Sequence, residues 1–292
     1  MTDPAVIRST ARNRMRRRAV SGIMVALTYV AAALATLPLL LILFHITRAG
    51  FASLNLDFFT KMPQPVGESG GGMANAISGT LILIGIAASI GVPVGIGAGM
   101  YLAEHRTNFL ANVVRFLSDV LNGIPSIVIG IFAWELLVRP VGHFSALAGG
   151  IALGAMIVPL VTRTTEEMIR LVPGTLREAA LALGYQRWRT SLGVVLRTAA
   201  PGIVTGALVA IARVAGETAP LLFTAFGNQF WSTSLREPIA ALPLQIFTYA
   251  ISPYDEWHSL AWAGALVLIG ILLIISLVAR FATRSRFGVA VD

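Results

Sequence analysis

Arg213 and Glu217 are the residues of this chain most able to do chemistry, because both are charged and both lie within an apolar segment, residues 198–226. A charge at the centre of a bilayer costs about 2.5–3.5 kcal/mol on insertion scales, so such residues usually pair or bind something. A separation of four residues puts both on one face of a helix, where they can pair. An arginine also offers a planar fork of donors that matches an oxyanion. Two interpretations follow. The two residues form an internal ion pair that fixes helix packing, or Arg213 binds an anion on its way across the membrane. In the second case Glu217 holds Arg213 in place or weakens its binding of the anion.

Three further polar residues are candidates for the same pathway. Arg163 ends another apolar segment and is either an arginine that reaches lipid headgroups or a second anion-handling group. Asn122 and Ser126 flank Gly123-Ile124-Pro125, which predicts a helix break at membrane depth. Broken helices occur there where they line a cavity or contact protein, so these two residues either line a pore or mark a packing kink. Two other pairs of opposite charge predict ion pairs at the membrane interface: Arg115 with Asp119, and Glu135 with Arg139.

A polar stretch between two apolar segments, residues 163–197, contains six Arg and three Glu. Pro173 and Gly174 predict the end of one helix and the start of another near Thr175, with Glu178 close to its positive end. Gly184 is then expected to turn the chain. The new helix either lies on the bilayer surface or docks into a groove of a soluble partner.

The elements that must position these residues are membrane helices. The chain is 56% hydrophobic and 12% charged, with a mean hydropathy of +0.77, which is outside the range of soluble domains. A helix of about 20 apolar residues crosses a bilayer. Six segments meet this test, and none alternates as a β-barrel strand does, so the expected fold is all-α. The predicted spans are residues 21–46, 76–103, 116–134, 146–161, 198–226 and 258–279.

The basic residues orient the predicted spans. With both termini in the cytoplasm, 17 basic residues lie inside and four outside, while Arg213 lies in the membrane. The chain is then expected to divide into a basic arm (residues 1–20), a first span (21–47), an external loop (48–75), a five-helix core (76–284) that contains the polar stretch, and a cytoplasmic tail (285–292).

Several kinds of site are excluded by the sequence. A P-loop needs a lysine after its last glycine, and the only lysine, Lys61, follows Thr60. The four histidines are scattered and there is no cysteine, so no metal site is indicated. No nucleophile–base arrangement appears either, so we expect no cofactor and no catalysis by this chain alone. A set of glycines inside an apolar span indicates close helix packing: Gly91, Gly95, Gly97 and Gly99.

The polar stretch also carries a family resemblance. Glu178-Ala179-Ala180, followed after three residues by Gly184, resembles the EAA signature of ABC importer permeases, a loop that rests in a cleft of the ATPase. Longer strings resemble the A-type membrane subunit of bacterial high-affinity phosphate importers, the PstA family: residues 163–167, 171–173, 177–184, 212–225, 228–233, 256–257 and 260–264. The chain departs from the general EAA pattern at Arg197, where that pattern has proline; Pro201 follows later.

This resemblance implies a type I ABC importer permease fold with six transmembrane helices and a cytoplasmic coupling helix, in the bacterial plasma membrane. It implies import of inorganic phosphate, driven by a separate PstB-type ATPase dimer that contacts Glu178, Ala179, Ala180 and Gly184. The other implied partners are a PstC-type permease and a PstS-type phosphate-binding protein. It favours the pathway interpretation of Arg213, and makes that of Arg163 plausible. The alternatives are a permease for sulfate or molybdate, a self-contained secondary transporter or channel, and a non-transporting membrane scaffold for an ATPase.

Overall fold

A computed structural model describes residues 4–65, 68, 70–105 and 107–284. Within these residues every regular element is a helix, apart from one isolated bridge between Phe226 and Ile239. The predicted all-α fold is therefore confirmed. The chain divides into two compact units, with the boundary between Ala49 and Gly50.

The first unit is formed by a single helix, α1 (Pro4–Ser53), which ends just beyond the unit boundary. The predicted span at residues 21–46 lies inside it, and most of the predicted basic arm is helical as well. Residues 1–3 of that arm and the predicted tail, 285–292, lie outside the described residues.

The second unit contains the remaining helices. They are α2 (Leu56–Thr60), α3 (Ala74–Glu104), α4 (Phe109–Gly123), α5 (Ser126–Ala133), α6 (Ala146–Arg170), α7 (Gly174–Ala182), α8 (Arg187–Arg189), α9 (Leu196–Ala215), α10 (Ala219–Thr224), α11 (Leu242–Ala250) and α12 (Asp255–Arg284). One π-helical segment, Trp134–Val138, continues α5, and a second, Thr190–Val195, joins α8 to α9.

Five of the described helices are long and apolar enough to cross a membrane, and a sixth span is formed if the bent pair α4–α5 counts as one. The fourth apolar span was expected to end at residue 161, and α6 continues past it to Arg170, close to the helix end predicted at Pro173. Thr162, Thr165 and Glu166 in this continuation are all buried. One predicted boundary was wrong. The fifth span was expected at residues 198–226, but the helix runs from Arg187 to Ala215.

The centre of the second unit is the contact between α3 and α6, and glycine makes it close. A Cβ on Gly95 would lie 2.7 Å from the Cβ of Val161, and one on Gly99 would lie 2.5 Å from the Cβ of Thr165. Gly91 meets Ile157 in the same way. Helix packing was therefore the correct interpretation for these three glycines. A Cβ on Gly97 meets nothing within 4 Å in the described part of the chain, so for Gly97 close packing stays a prediction.

One end of the bundle is held together by polar contacts between loops and helix starts. The amide of Leu242 donates to Thr80 Oγ1 at 2.8 Å, and Asn75 donates through its side chain to the carbonyl of Asn228 at 2.9 Å. The amide of Ala146 donates to the carbonyl of Glu237. The starts of α3 and α6 therefore lie at this end, and α7 follows the opposite end of α6.

Candidate functional site

Two breaks in membrane-spanning helices define the candidate site. The first separates α4 from α5 at Ile124 and Pro125, where the helix axes turn by 107°, as the sequence predicted for this position. The second separates α9 from α10 after Ala215. Pro220 explains this second break, because it has no N–H and its ring would clash with the carbonyl of Gly216 in a continuous helix.

The two broken segments pack against each other. A Cβ on Gly130 of α5 would lie 2.7 Å from the Cα of Pro220 in α10, so only glycine allows this approach. The contact brings the two breaks to the same depth of the bundle. Backbone that leaves regular helix inside a membrane protein is stable where it lines a cavity.

A cavity of about 210 Å³ lies between the breaks. Four of the predicted site residues line it together: Asn122, Ser126, Arg213 and Glu217. The rest of its wall is largely apolar and includes Ile129, Met156 and Leu160. Arg213 is the only basic residue, and Glu217 the only acidic one, among the described residues that line this cavity.

Arg213 and Glu217 were expected to lie on one helical face, and this was wrong; the internal ion pair, one of the two interpretations, is not formed. Helix α9 ends at Ala215, so Glu217 lies beyond the helix end instead of one turn along it. Among the described residues, neither side chain forms an ion pair or a side-chain hydrogen bond. Arg213 therefore keeps its donors free beside the cavity, and its charge is not cancelled by direct contact.

The start of α5 adds to the positive character of the cavity. The helix begins at Ser126, and no side chain caps it. The first amide groups of a helix carry partial positive charge and lack intrahelical acceptors, so they favour an anion. The arrangement of one arginine, one helix start and two small polar side chains suits transient binding of an oxyanion.

Arg163 does not line this cavity. It lies on α6 within reach of three carboxylates, those of Asp119, Glu166 and Glu167, at 3.8, 3.7 and 3.9 Å. These distances exceed hydrogen-bond length, so the contacts are loose.

Glu166 carries a buried carboxylate that the sequence did not single out as a candidate. Its side chain is 1% exposed, and Oε1 accepts hydrogen bonds from Arg115 Nε at 3.1 Å and Nη2 at 2.8 Å. Arg170, four residues on, pairs with the same oxygen. The predicted pair of Arg115 with Asp119 was therefore wrong, because Arg115 crosses from α4 to α6 instead.

The pair of Glu135 with Arg139 is confirmed. The four-residue spacing of Glu166 and Arg170 indicated their ion pair in the sequence. The sequence did not indicate the burial of Glu166, because this burial depends on contacts between distant segments.

The polar helix expected between residues 178 and 184 is α7, which spans Gly174–Ala182. It begins one residue before the predicted start near Thr175, its N-cap is Pro173, and no side chain caps it. Ala180 is buried, whereas Glu178 and Ala179 are exposed. Gly184 adopts φ +83°, a conformation that side chains other than glycine rarely take, so it turns the chain as predicted.

Arg197, where the chain departs from the general EAA pattern, lies in the second residue of α9. The structure shows one continuous helical run from Arg187 to Ala215 across this position. The irregularity occurs just before it, as the π-helical segment Thr190–Val195.

Comparison with known proteins places this geometry in context. The family of binding-protein-dependent transport system inner membrane components matches residues 91–287. The phosphate transport system permease protein PstA of Yersinia pestis is 47% identical over 279 residues, covering 95% of each chain. The protein of the same name from Xylella fastidiosa strain Temecula1 is 48% identical, covering 91% of this chain and 93% of its own.

A solved structure supports the fold. An inward-facing structure of the MetNI methionine ABC transporter aligns with a TM-score of 0.60 at 18% identity, covering 73% of this chain and 96% of the matched one. A likeness at this identity shows the fold alone, and it agrees with the predicted type I importer permease fold.

Proposed function

The chain belongs to the PstA family of phosphate transport system permease proteins, and we propose that it moves inorganic phosphate into the cell through the Arg213 cavity. It is a permease subunit of a phosphate ABC importer and a multi-pass inner membrane protein, as the resemblance in its sequence predicted. The observation that carries the proposal is the cavity in which two helix breaks, Arg213 and the start of α5 converge.

Phosphate carries about one to two negative charges at neutral pH and must leave water to cross the membrane. Arg213 supplies a permanently charged fork of donors, and the start of α5 near Ser126 supplies backbone amides. Asn122 adds an amide that can donate. Glu217 repels the anion from the same wall, which keeps binding weak enough for release. The cavity thus binds phosphate briefly instead of storing it.

Arg163 is a second anion-handling group in this proposal, located on the far side of Leu160 toward the α7 end of the bundle. Its support is that the three carboxylates around it all lie beyond hydrogen-bond length, so its donors are not fully used. Phosphate that leaves the Arg213 cavity would meet it next.

Energy enters through α7. The chain itself is non-catalytic here, and a PstB-type ATPase dimer holds Glu178, Ala179, Ala180 and the turn at Gly184. Support comes from the exposed side of α7 at Ala179 and from the sharp turn that ends the segment. A PstC-type permease completes the pathway, and a PstS-type protein delivers phosphate to the opposite end. Both termini, and α7, are then cytoplasmic.

ATP-dependent phosphate uptake by the reconstituted complex tests this function. The complex with the wild-type chain, or with Ala179→Ser, should take up phosphate when ATP is supplied. Ala179→Trp should abolish uptake and copurification of the ATPase, because a bulky side chain on the exposed face of α7 blocks docking. Copurification and uptake by Ala179→Trp at the wild-type level would contradict the coupling role.

Uptake measured in reconstituted vesicles also distinguishes the proposed function from its alternatives. Phosphate uptake by the purified chain without an ATPase would mean a secondary transporter or channel and would overturn the proposal. Competition by sulfate or molybdate as strong as that by unlabelled phosphate would mean a permease for another oxyanion.

A further inference from the structure

A second cavity, of about 400 Å³, lies beside the coupling helix α7 and is separate from the Arg213 cavity. Three elements form its wall: the end of α3, one face of α7, and the helical run that leads into α9. Its lining residues are Glu104, His105, Arg177, Leu181, Arg187, Thr190 and Ser191. Its volume is in the range of small-molecule sites, about 300–1,000 Å³.

Two arginines with free donors line this cavity. Among the residues that the structure describes, Arg177 and Arg187 form no ion pair and donate no side-chain hydrogen bond. They come from different elements, α7 and α8, so they approach the cavity from two sides. Converging arginine forks are the arrangement that proteins use for phosphoryl groups.

Two hydroxyl residues complete the lining, Thr190 and Ser191. Ser191 donates its hydroxyl to the carbonyl of Arg187 at 3.1 Å, so its oxygen can accept from a ligand but has no proton left to donate. The Oγ1 of Thr190 is buried and has almost no accessible surface, so a ligand in the cavity does not reach it. The charged side chains are therefore the groups that a ligand would contact.

One acidic residue, Glu104, also lines the cavity. An ionised carboxylate only accepts hydrogen bonds, so it repels a fully ionised anion but accepts from one that carries a proton. Inorganic phosphate keeps a P–OH group at neutral pH, whereas sulfate and the phosphodiester of a lipid headgroup have none. His105 donates through Nδ1 to the carbonyl of Tyr101 at 3.2 Å, which leaves Nε2 as a further acceptor in the neutral ring.

We propose that this cavity binds a protonated phosphoryl anion, with free inorganic phosphate as its ligand. Arg177 and Arg187 bind the charged oxygens, and Glu104 accepts a hydrogen bond from the P–OH group. The site is distinct from the pathway, because none of its residues lines the cavity at Arg213.

A bound phosphate would connect α3, α7 and α8, because each of these helices contributes a residue to the cavity. Arg177 and Leu181 share a face of α7, and Ala179 lies roughly opposite, since two residues turn a helix by about 200°. Bound phosphate would thus restrain α7 against α3 and α8 while its other face stays available. If the proposed function holds, imported phosphate would act here on the coupling helix.

Equilibrium binding of radiolabelled inorganic phosphate to the full chain in lipid nanodiscs tests the site. The chain carries Arg213→Gln throughout, which removes binding at the pathway cavity. We expect saturable binding that is at least tenfold weaker in Arg177→Gln and in Arg187→Gln. Arg189→Gln is the matched control, because Arg189 lies over the ring of Trp188 at 5.2 Å and does not line the cavity. No binding, or equal binding in all three variants, would overturn the proposal.

Competition identifies the ligand. Sulfate should compete poorly with phosphate in the chain with Glu104, and better in Glu104→Gln. Phosphate binding should be the same in nanodiscs of phosphatidylcholine and phosphatidylglycerol; if phosphatidylglycerol abolishes it, the cavity holds a lipid headgroup and the proposal fails. This assay needs neither ATP nor transport, so its failure leaves the proposed import function to be judged by uptake alone.

Discussion

Arg213 and Glu166 are charged residues in an apolar protein, and they differ in whether neighbouring side chains compensate the charge. Glu166 is buried and accepts from Arg115 and Arg170, so its charge is largely compensated by neighbours on two helices. Arg213 has no such partner among the described residues and lies beside a cavity. A compensated charge fixes structure, whereas an uncompensated one is available for a passing anion.

Glu166→Gln tests the structural role. Removing one partner of a buried pair leaves the other uncompensated, so we expect a loss of about 3 kcal/mol in the free energy of unfolding. Titration with sodium dodecyl sulfate in mixed micelles measures this quantity. Glu167→Gln is the control: its side chain is 63% exposed, and its effect should stay within about 0.5 kcal/mol. Equal effects from the two changes would show that the buried cluster does not hold α4 to α6.

The packing of α3 on α6 is the main interaction at the scale of elements. Three glycines, Gly91, Gly95 and Gly99, let the helices approach closely, and this face supports the α6 residues that line the Arg213 cavity. Hydrophobic attraction between helices is absent in lipid, so close van der Waals contact is what holds such a pair together.

Gly95→Ala and Gly97→Ala should have opposite effects on stability. A Cβ at residue 95 would lie 2.7 Å from that of Val161, so we expect destabilisation by about 1–3 kcal/mol. A Cβ at residue 97 meets nothing within 4 Å, and alanine favours helix over glycine by about 1 kcal/mol. The unfolding free energy in detergent measures both. Destabilisation by both changes would mean that residue 97 also packs against protein.

The sequence predicted correctly those helices, breaks and turns that depend on the residues of a single segment. Apolar runs predicted the spans, Pro125 predicted the break before α5, and Gly184 predicted the turn after α7. It did less well where distant segments meet. The burial of Glu166 and the separation of Arg213 from Glu217 both depend on which helices touch. Pro220 was a local signal for that separation, since proline ends a helix three to four residues before it.

At the scale of the whole molecule, two broken helices meet at one depth of a bundle, and a short helix projects from one end. The first arrangement exposes backbone and Arg213 to a cavity, and the second offers a surface for a soluble partner. Import requires both, because binding without a moving part would only trap the anion. We therefore propose that phosphate passes through the Arg213 cavity and that energy enters through α7.

Phosphate uptake by the reconstituted complex carrying Arg213→Gln tests whether Arg213 handles phosphate during import. Arg197→Gln is the matched control, because Arg197 is exposed on the same helix and lines neither cavity described above. We predict that Arg213→Gln lowers ATP-driven uptake at least tenfold, as expected when one charged hydrogen-bonding group is removed from a binding site. The ATPase should still copurify with this variant. Uptake in Arg197→Gln should stay within about twofold of wild type. Uptake by Arg213→Gln at the wild-type rate would contradict the account.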